Sequence, residues 1–258
     1  MAADGDIGVR IGLSAVVIAL RERQAVVLTT HDAQGADALP FGPFAPDRDR
    51  TFELALRAFV TAQTGFRLGF VEQLYTFGDA GRESPRATPG PERARDVSVG
   101  YLALTADARI ARAADAQWTP VLDFFPWEDW RKGRPEAARD RCDAPTAPRA
   151  GRPMASDHRR ILATGLGRLR SKLKYRPVLF DLMPETFTLS ELQAAAEAVA
   201  GIALHKQNFR RGVERTGLVE ATGRLSTGTG GRPAELFRVT GADPSDGQAP
   251  GLPLPILR

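Results

Sequence analysis

The sequence predicts an α/β (α+β) protein, in which a mixed-sheet N-terminal domain precedes a smaller winged helix-turn-helix domain. Three observations predict this fold. Strand-like segments surround a single amphipathic helix in the first part of the chain. Two short helices separated by a glycine follow within residues 188–213. A glycine-rich hairpin comes directly after the second of these helices.

Chain length and composition suggest the domain limits. The 258 residues, 43% of them hydrophobic, suffice for two domains of unequal size. We expect an N-terminal domain over residues 1–156, a connecting helix over 157–174, a winged helix domain over 175–240 and a flexible tail over 241–258. Residues 131–156 combine four prolines with many charges, which is typical of an interdomain segment.

The longest apolar run near the N-terminus, residues 11–20, is about half as long as a membrane-spanning helix needs to be. No basic segment precedes it, and Cys142 is the only cysteine. We therefore expect a cytoplasmic protein with no disulfide and no membrane partner.

In the N-terminal domain, strands are predicted at residues 12–20, 25–29, 70–77 and 97–104. Between the second and third of these, Phe52, Leu56 and Phe59 lie on one face of a predicted helix, which Gly65 ends. A loop rich in proline, glycine and arginine separates the last two strands. From residue 157, leucines and isoleucines recur at helical spacing among basic residues, which predicts the connecting helix.

The winged helix domain begins with a capping box, in which Thr188 accepts from the amide of residue 191 and Glu191 reaches back to the amide of Thr188. The first helix starts there and buries Leu192. Gly201 supplies the turn, and the second helix begins near Leu204. This order is the helix-turn-helix pattern.

The second helix turns Phe209 and Val213 inward and leaves its polar side chains outside. Glutamine and asparagine can bond an adenine edge, arginine a guanine edge, and lysine or arginine a phosphate. A strand at 217–220, a hairpin tip at 223–231 and a returning strand at 234–239 predict a wing with basic residues at its tip. The predicted DNA-binding residues are Thr188, Ser190, His205, Lys206, Gln207, Asn208, Arg210, Arg211, Arg224 and Arg232.

The charge distribution agrees with an anionic partner for this domain. From residue 151 onward the chain has 16 basic and 10 acidic residues, a net charge of +6, whereas residues 1–150 carry −2. Double-stranded operator DNA is the partner we predict. A solvated basic face is the other interpretation of the charge alone.

The motifs resemble those of Nudix-related transcriptional regulators of NAD metabolism. The likeness runs from residue 175 to 239, and in the N-terminal part it covers residues 39–44, 64–66, 71–79 and 97–104. It is strongest to the NadQ-type regulators of de novo NAD biosynthesis genes. The resemblance implies a Nudix-like mixed-sheet α/β/α sandwich followed by a winged helix-turn-helix domain. It also implies a repressor of NAD biosynthesis genes.

The sequence departs from the Nudix pattern where that pattern needs carboxylates to hold magnesium. Counted back from Gly65, the metal-binding positions carry Ala62 and Gln63, and Ala58 and Phe59 replace the Arg-Glu pair. These side chains cannot neutralise a divalent cation. We therefore predict no metal site, no catalytic residue, no required cofactor and no enzymatic activity. The alternative is a divergent hydrolase of ADP-ribose-type nucleoside diphosphates with ligands among Glu53, Glu72, Asp79 and Glu83.

The resemblance also implies a nucleotide pocket that binds NAD, ATP or ADP-ribose as the effector. Arginines in or near the degenerate box could meet the phosphates directly, and aromatic side chains could stack on adenine. The predicted effector-binding residues are Phe41, Arg48, Arg50, Arg57, Gln73, Tyr75, Phe77, Asp79 and Arg82. Further aromatic and basic candidates are Trp127, Trp130, Arg86, Arg93 and Arg95.

The resemblance also implies a homodimer on a two-fold-related operator. The effector would then change the relative placement of the two winged helices through the helix at residues 157–173. The competing interpretation is a nucleotide-binding scaffold whose winged helix contacts protein rather than DNA.

Overall fold

The computed structural model of the chain describes residues 8–79, 95–108, 115–131, 151–226, 233–240 and 251. Nine strands and five α-helices lie in these ranges, together with two short 3-10 turns at Pro126–Glu128 and Val178–Leu182. None of the helices in these ranges has the length and apolar character needed to cross a membrane.

A seven-stranded mixed sheet forms the centre of the N-terminal domain. Its strands are β1 (Val9–Arg21), β2 (Gln24–His31), β3 (Asp37–Ala38), β4 (Phe41–Pro43), β5 (Val71–Phe77), β6 (Arg95–Leu104) and β7 (Gln117–Pro120). The main order is β3-β2-β1-β6-β5, with β4 paired to β1 and β7 paired to β2. The four predicted strands are confirmed as β1, β2, β5 and β6, within a few residues at each end.

The central pair of the sheet is parallel, with Val9 of β1 opposite Arg95 of β6 and Ile18 opposite Leu104. All the other strand pairs described are antiparallel. A parallel pair needs a long crossover, and the chain between β1 and β6 supplies it with the helix α1 (Phe52–Thr64).

Strand β1 is buried on both faces because a helix covers each side of the sheet. Leu13 and Val17 pack with Leu56 of α1 in one cluster. Val16 and Ile18 lie in another cluster, which includes apolar residues of the helix α3 (His158–Leu173). Alternate residues of one strand thus belong to two cores. The predicted α/β/α sandwich is confirmed.

The predicted helix between the second and third strands is confirmed as α1. Its N-terminus is capped by Thr51, whose hydroxyl accepts from the amide of Leu54. Gly65 ends it in the left-handed conformation, at φ +68°. A shorter helix, α2 (Val121–Phe124), follows β7.

The winged helix domain contains α4 (Leu189–Ala200), α5 (Lys206–Thr216), β8 (Val219–Leu225) and β9 (Glu235–Val239). Both hydrogen bonds of the predicted capping box at Thr188 and Glu191 are present. The prediction that the hairpin tip starts at Gly223 was wrong. Strand β8 continues through Gly223 to Leu225, since a register shift within β8 accommodates the φ of +70° at that glycine.

The two domains share one apolar core, which extends from the sheet through α3 to α4 and α5. Polar contacts join them as well. The amide of Trp130 donates to the carbonyl of Gly201 at 2.6 Å. Arg170 of α3 donates from Nε to the carbonyl of Val199 at 2.9 Å and forms an ion pair with Glu128. Helix α3 therefore contacts both halves of the chain.

Candidate DNA interface and effector cleft

Helix α5 presents a polar face to solvent because only Phe209 and Val213 of its residues are buried. Lys206, Gln207, Asn208 and Arg211 are exposed. The predicted reading residues thus lie together on the outer side of one helix. Amide and basic side chains placed side by side on one helix can bond base edges and phosphates at the same time.

The N-terminus of α5 is open. His205 is the N-cap residue, and its side chain makes no capping hydrogen bond. The side chain of His205 therefore does not occupy the first backbone N–H groups of the helix, and Lys206 adds a positive charge beside them. This arrangement suits a phosphate group.

Three predicted DNA-binding residues lie between α4 and α5 or within the caps. Arg210 donates from Nη2 to the hydroxyl of Ser190 at 3.2 Å, and its Nε is buried without a hydrogen-bond partner among the residues that the structure describes. Thr188 is buried, and its hydroxyl is engaged in the capping box. The bond from Arg210 to Ser190 joins α5 to α4, and the capping box fixes the first turn of α4, so Arg210 and Thr188 shape the interface rather than lie freely on it.

The wing carries Arg224, which is exposed on β8, and Arg238 on β9, which pairs with Glu220 at 2.7 Å. The domain is closed at its base by a bridge between Phe187 and Phe237, whose backbones exchange hydrogen bonds of 2.9 and 2.7 Å. Arg232 lies outside the described residues.

In the N-terminal domain, two side chains of the predicted degenerate box, Phe59 and Gln63, face strand β4. The ring of Phe59 lies over Gly42 so closely that a Cβ atom added there would be 3.0 Å from it. The amide of Gln63 pairs with the backbone of Phe41, accepting from its N–H at 3.2 Å and donating to its carbonyl at 2.6 Å. Neither side chain offers a free oxygen to a cation.

The predicted arginines near the box differ in their surroundings. Arg57 is held, since it pairs with Glu53 at 2.8 Å and donates to the carbonyls of Leu68 and Gly69 at 2.6 and 2.7 Å. Arg48 is exposed, 3.6 Å from the carboxylate of Asp49, and Arg50 is exposed.

The aromatic candidates gather around the first turn of α3. Phe41 meets the buried His158 edge to face at 4.9 Å, and His158 Nδ1 accepts from the amide of Leu39 at 3.2 Å. Tyr75 is 55% exposed and packs edge to face on Phe77 at 5.1 Å. Phe77 itself is 1% exposed, so it supports Tyr75 from below.

Arg160 joins this group. Its guanidinium lies 5.7 Å from the centre of the Phe77 ring and pairs with Asp79 at 2.6 Å. The hydrogen bond to Asp79 raises the pKa of Arg160, which keeps the side chain cationic. Gln73 is exposed on β5, and Arg95 donates to the carbonyl of Gly78 at 2.7 Å.

Phe41 thus lies beside His158, and Phe77 and Asp79 lie beside Arg160, with Tyr75 packed on Phe77, while Arg57 is held at the loop before β5. Sequence reasoning missed His158 and Arg160, although the basic residues at the start of α3 were visible. Trp127 is buried and Trp130 half exposed near α4. Arg82, Arg86 and Arg93 lie outside the described residues, as does Glu83.

Known proteins match both the N-terminal part of the chain and its winged helix part. Residues 179–239 match the family model of the NrtR DNA-binding winged helix domain. The chain is 27% identical, over 78% of its length and 68% of the other, to an ADPR responsive transcriptional repressor NtrR from Acinetobacter baylyi.

Among solved structures, NrtR of Shewanella oneidensis in complex with a 27mer DNA matches with a TM-score of 0.68 and 26% identity. The match covers 94% of this chain and 97% of that one. A MutT/nudix family protein from Enterococcus faecalis shares the fold at a TM-score of 0.63 and 19% identity, over 90% of this chain and 86% of that one.

Fold and comparisons together define the class: a Nudix-type α/β/α fold joined to a winged helix domain of the kind that the NrtR family model describes. More narrowly, the chain is similar to NrtR proteins over most of its length.

Proposed function

We propose that this chain is a transcriptional repressor whose affinity for operator DNA is regulated by an adenine nucleotide of the ADP-ribose class. The observation that carries the proposal is the outer face of α5, where Lys206, Gln207, Asn208 and Arg211 are exposed above a buried Phe209 and Val213. The similarity to an NrtR solved with DNA and to an ADPR responsive repressor supports it.

The effector binds in the N-terminal domain, at the group formed by Phe41, Tyr75, Asp79 and Arg160. Tyr75 has an exposed ring on which adenine can stack. Arg160 can bind a phosphate once its ion pair with Asp79 opens. NAD and ATP share the adenine and phosphates of ADP-ribose and are the other effectors to be tested. The target genes are those of NAD biosynthesis.

This domain binds its nucleotide without hydrolysing it. Phe59 and Gln63 are engaged with β4, so the magnesium of a Nudix hydrolase does not fit the residues present. Within the described residues, no three histidine, cysteine or acidic side chains are grouped for a metal. The carboxylates that a divergent hydrolase would need are paired with basic side chains, namely Glu53 with Arg57, Glu72 with Lys172 and Asp79 with Arg160.

The repressor acts as a homodimer in the cytoplasm, so that two copies of α5 meet two half-sites of a palindromic operator. The nucleotide must bind the DNA-competent and incompetent dimers with different affinities to regulate the gene. Helix α3 is suited to carry this change because it contacts Asp79 near one end and Val199 near the other.

The test is fluorescence anisotropy of labelled fragments from upstream of NAD biosynthesis genes, titrated with the full chain at several salt concentrations. We expect Arg211→Ala and Lys206→Ala to weaken binding about tenfold or more and to reduce the salt slope by about one each. Arg67→Ala removes the same charge from an exposed position after α1 and serves as the control. Binding to none of the fragments contradicts the repressor assignment.

The same titration repeated with ADP-ribose, NAD and ATP identifies the effector. One of the three should shift the DNA midpoint while the others leave it unchanged. Incubation of each nucleotide with magnesium and the protein tests the hydrolase alternative. Turnover that is abolished by Glu53→Gln or Glu72→Gln would favour that alternative.

A further inference from the structure

A cavity of about 430 Å³ lies at the joint between the two domains. Its walls come from the start of β5, the end of β6, the last turns of α3 and the 3-10 turn that leads into the winged helix. Its volume is in the range of pockets that hold a small ligand or a few side chains. The apolar lining is Phe70, Leu102, Leu104, Leu169, Val178 and Phe180.

The charged groups of this cavity sit among that apolar lining. Lys172 and Glu72 form an ion pair, and Arg176 and Asp181 complete the polar lining. Phe70 is 78% exposed, which leaves a large aromatic side chain uncovered among the lining residues. An apolar surface of this kind favours an occupant that brings apolar groups and no unpaired charge.

One described residue of the C-terminal region lies beside this cavity. Gly251 packs so closely on the peptide between Lys174 and Tyr175 that a Cβ atom would overlap the carbonyl of Lys174. The lining residues Arg176 and Pro177 follow directly in sequence. Because one residue of extended chain spans about 3.3–3.6 Å, the residues after Gly251 need only a few steps to enter the cavity.

Those residues have the composition that the cavity requires. Residues 252–257 are Leu-Pro-Leu-Pro-Ile-Leu, with no charged or polar side chain. Each proline restricts the residue before it to extended conformations, so the segment favours a polyproline helix. The prolines have no N–H to leave unpaired in an apolar site, and a stiff segment loses little entropy on docking.

We propose that residues 252–257 dock in the interdomain cavity of the same chain and pack on Leu102, Leu104 and Leu169. The segment then bridges the sheet, α3 and the turn at Val178–Leu182, and it fixes the angle at which the winged helix domain leaves the N-terminal domain.

Hydrogen exchange of the full chain tests it. In the variant Leu254→Asp/Ile256→Asp, we expect amides of residues 176–182 to exchange at least tenfold faster and the unfolding temperature to fall by several degrees. The control Ser245→Asp/Gln248→Asp adds the same charge to the same region outside the apolar segment and should leave both values unchanged. Equal exchange in the wild type and the apolar-segment variant overturns the proposal.

Cross-linking distinguishes the possible occupants. In a Cys142→Ser background, Phe70→Cys/Ile256→Cys treated with a short bismaleimide should give a cross-link within one chain. A cross-link only between chains assigns the cavity to the segment of a second copy and contradicts the proposal. The combination of no cross-link with unchanged exchange leaves the cavity to a small apolar ligand, which also contradicts it.

Discussion

At the scale of one residue, Gln63 lies at a position that the sequence pattern assigns to metal binding and makes a different contact in the structure. Its side-chain amide both accepts from and donates to the backbone of Phe41. A glutamate carboxylate has only acceptors, so it can match the N–H of Phe41 but faces its carbonyl with a like dipole. The interaction therefore depends on the amide rather than on the shape of the side chain.

Gln63→Glu should lower the free energy of unfolding by about 1 kcal/mol, because one hydrogen bond is lost and a carbonyl faces a carboxylate. Urea denaturation measures this. The variant should gain no magnesium-dependent hydrolysis of ADP-ribose, since Phe59 still covers Gly42. A stable variant with such activity would contradict the role assigned to both side chains.

Asp181 gives a prediction with a defined pH dependence. Burial raises its pKa, against the opposing effect of Lys172, and Glu72 raises the pKa further. The folded state therefore binds this proton more tightly than the unfolded state, and stability is lost as pH rises through the folded pKa.

We expect Asp181→Asn to be more stable than the wild type at pH 7 and equal to it at about pH 3, where the aspartate is protonated in both states. Urea denaturation at the two pH values provides the measurement, with the acidic sample as the internal control. A variant less stable than the wild type at pH 7 would show that the carboxylate makes a favourable contact instead.

At the scale of the element, two helices of the winged helix domain end in the same way but in different surroundings. Gly201 ends α4 at φ +73°, and Gly217 ends α5 at φ +66°. A Cβ atom at Gly201 would overlap the carbonyl of Glu128, whereas none at Gly217 would meet an atom within 4 Å. Both positions require a residue that adopts the left-handed conformation, and Gly201 also has no room for a side chain.

Gly201→Ala should therefore lower the free energy of unfolding by about 3 kcal/mol or more, because strain and overlap add. Gly217→Ala is the matched control and should cost about 1 kcal/mol, from strain alone. Chemical denaturation of both variants compares them. Equal losses would mean that the contact between α4 and Glu128 is not maintained in solution.

At the scale of the whole molecule, Arg170 is placed to couple the two domains. It reaches from α3 to the carbonyl of Val199 and to Glu128, whereas Arg168 on the same helix donates, among the described residues, to the carbonyl of Leu74 in the sheet, at 3.3 Å. The two arginines carry the same charge on the same helix, but the contacts of Arg170 reach Glu128 and Val199, whereas that of Arg168 stays with the sheet.

On the proposed function, Arg170→Ala should retain nucleotide binding by calorimetry yet reduce the nucleotide-induced change in DNA affinity at least fivefold. Arg168→Ala should keep that change. Anisotropy titrations with and without ADP-ribose measure it in both variants. An equal nucleotide-induced change in DNA affinity in both variants would show that Arg170 does not couple the two domains.

Features that depend on local sequence were predictable. The stripe of Phe52 and Leu56 with Gly65 after it predicted α1, and Thr188 with Glu191 predicted the start of α4. The polar face of α5 followed from the spacing of Phe209 and Val213. In each case the decisive interactions join residues three or four positions apart, so periodicity and capping residues are enough to determine them.

Only the tertiary structure decided what depends on residues far apart in the chain. The parallel pairing of β1 with β6, the short strands β3, β4 and β7, and the pairing of Gln63 with Phe41 all need partners that no local pattern identifies. The same holds for Phe77, which the sequence presents as a binding residue and the fold buries. Sequence determines which faces are apolar or charged, whereas packing decides which of those faces remain free, because burial depends on contacts between distant segments.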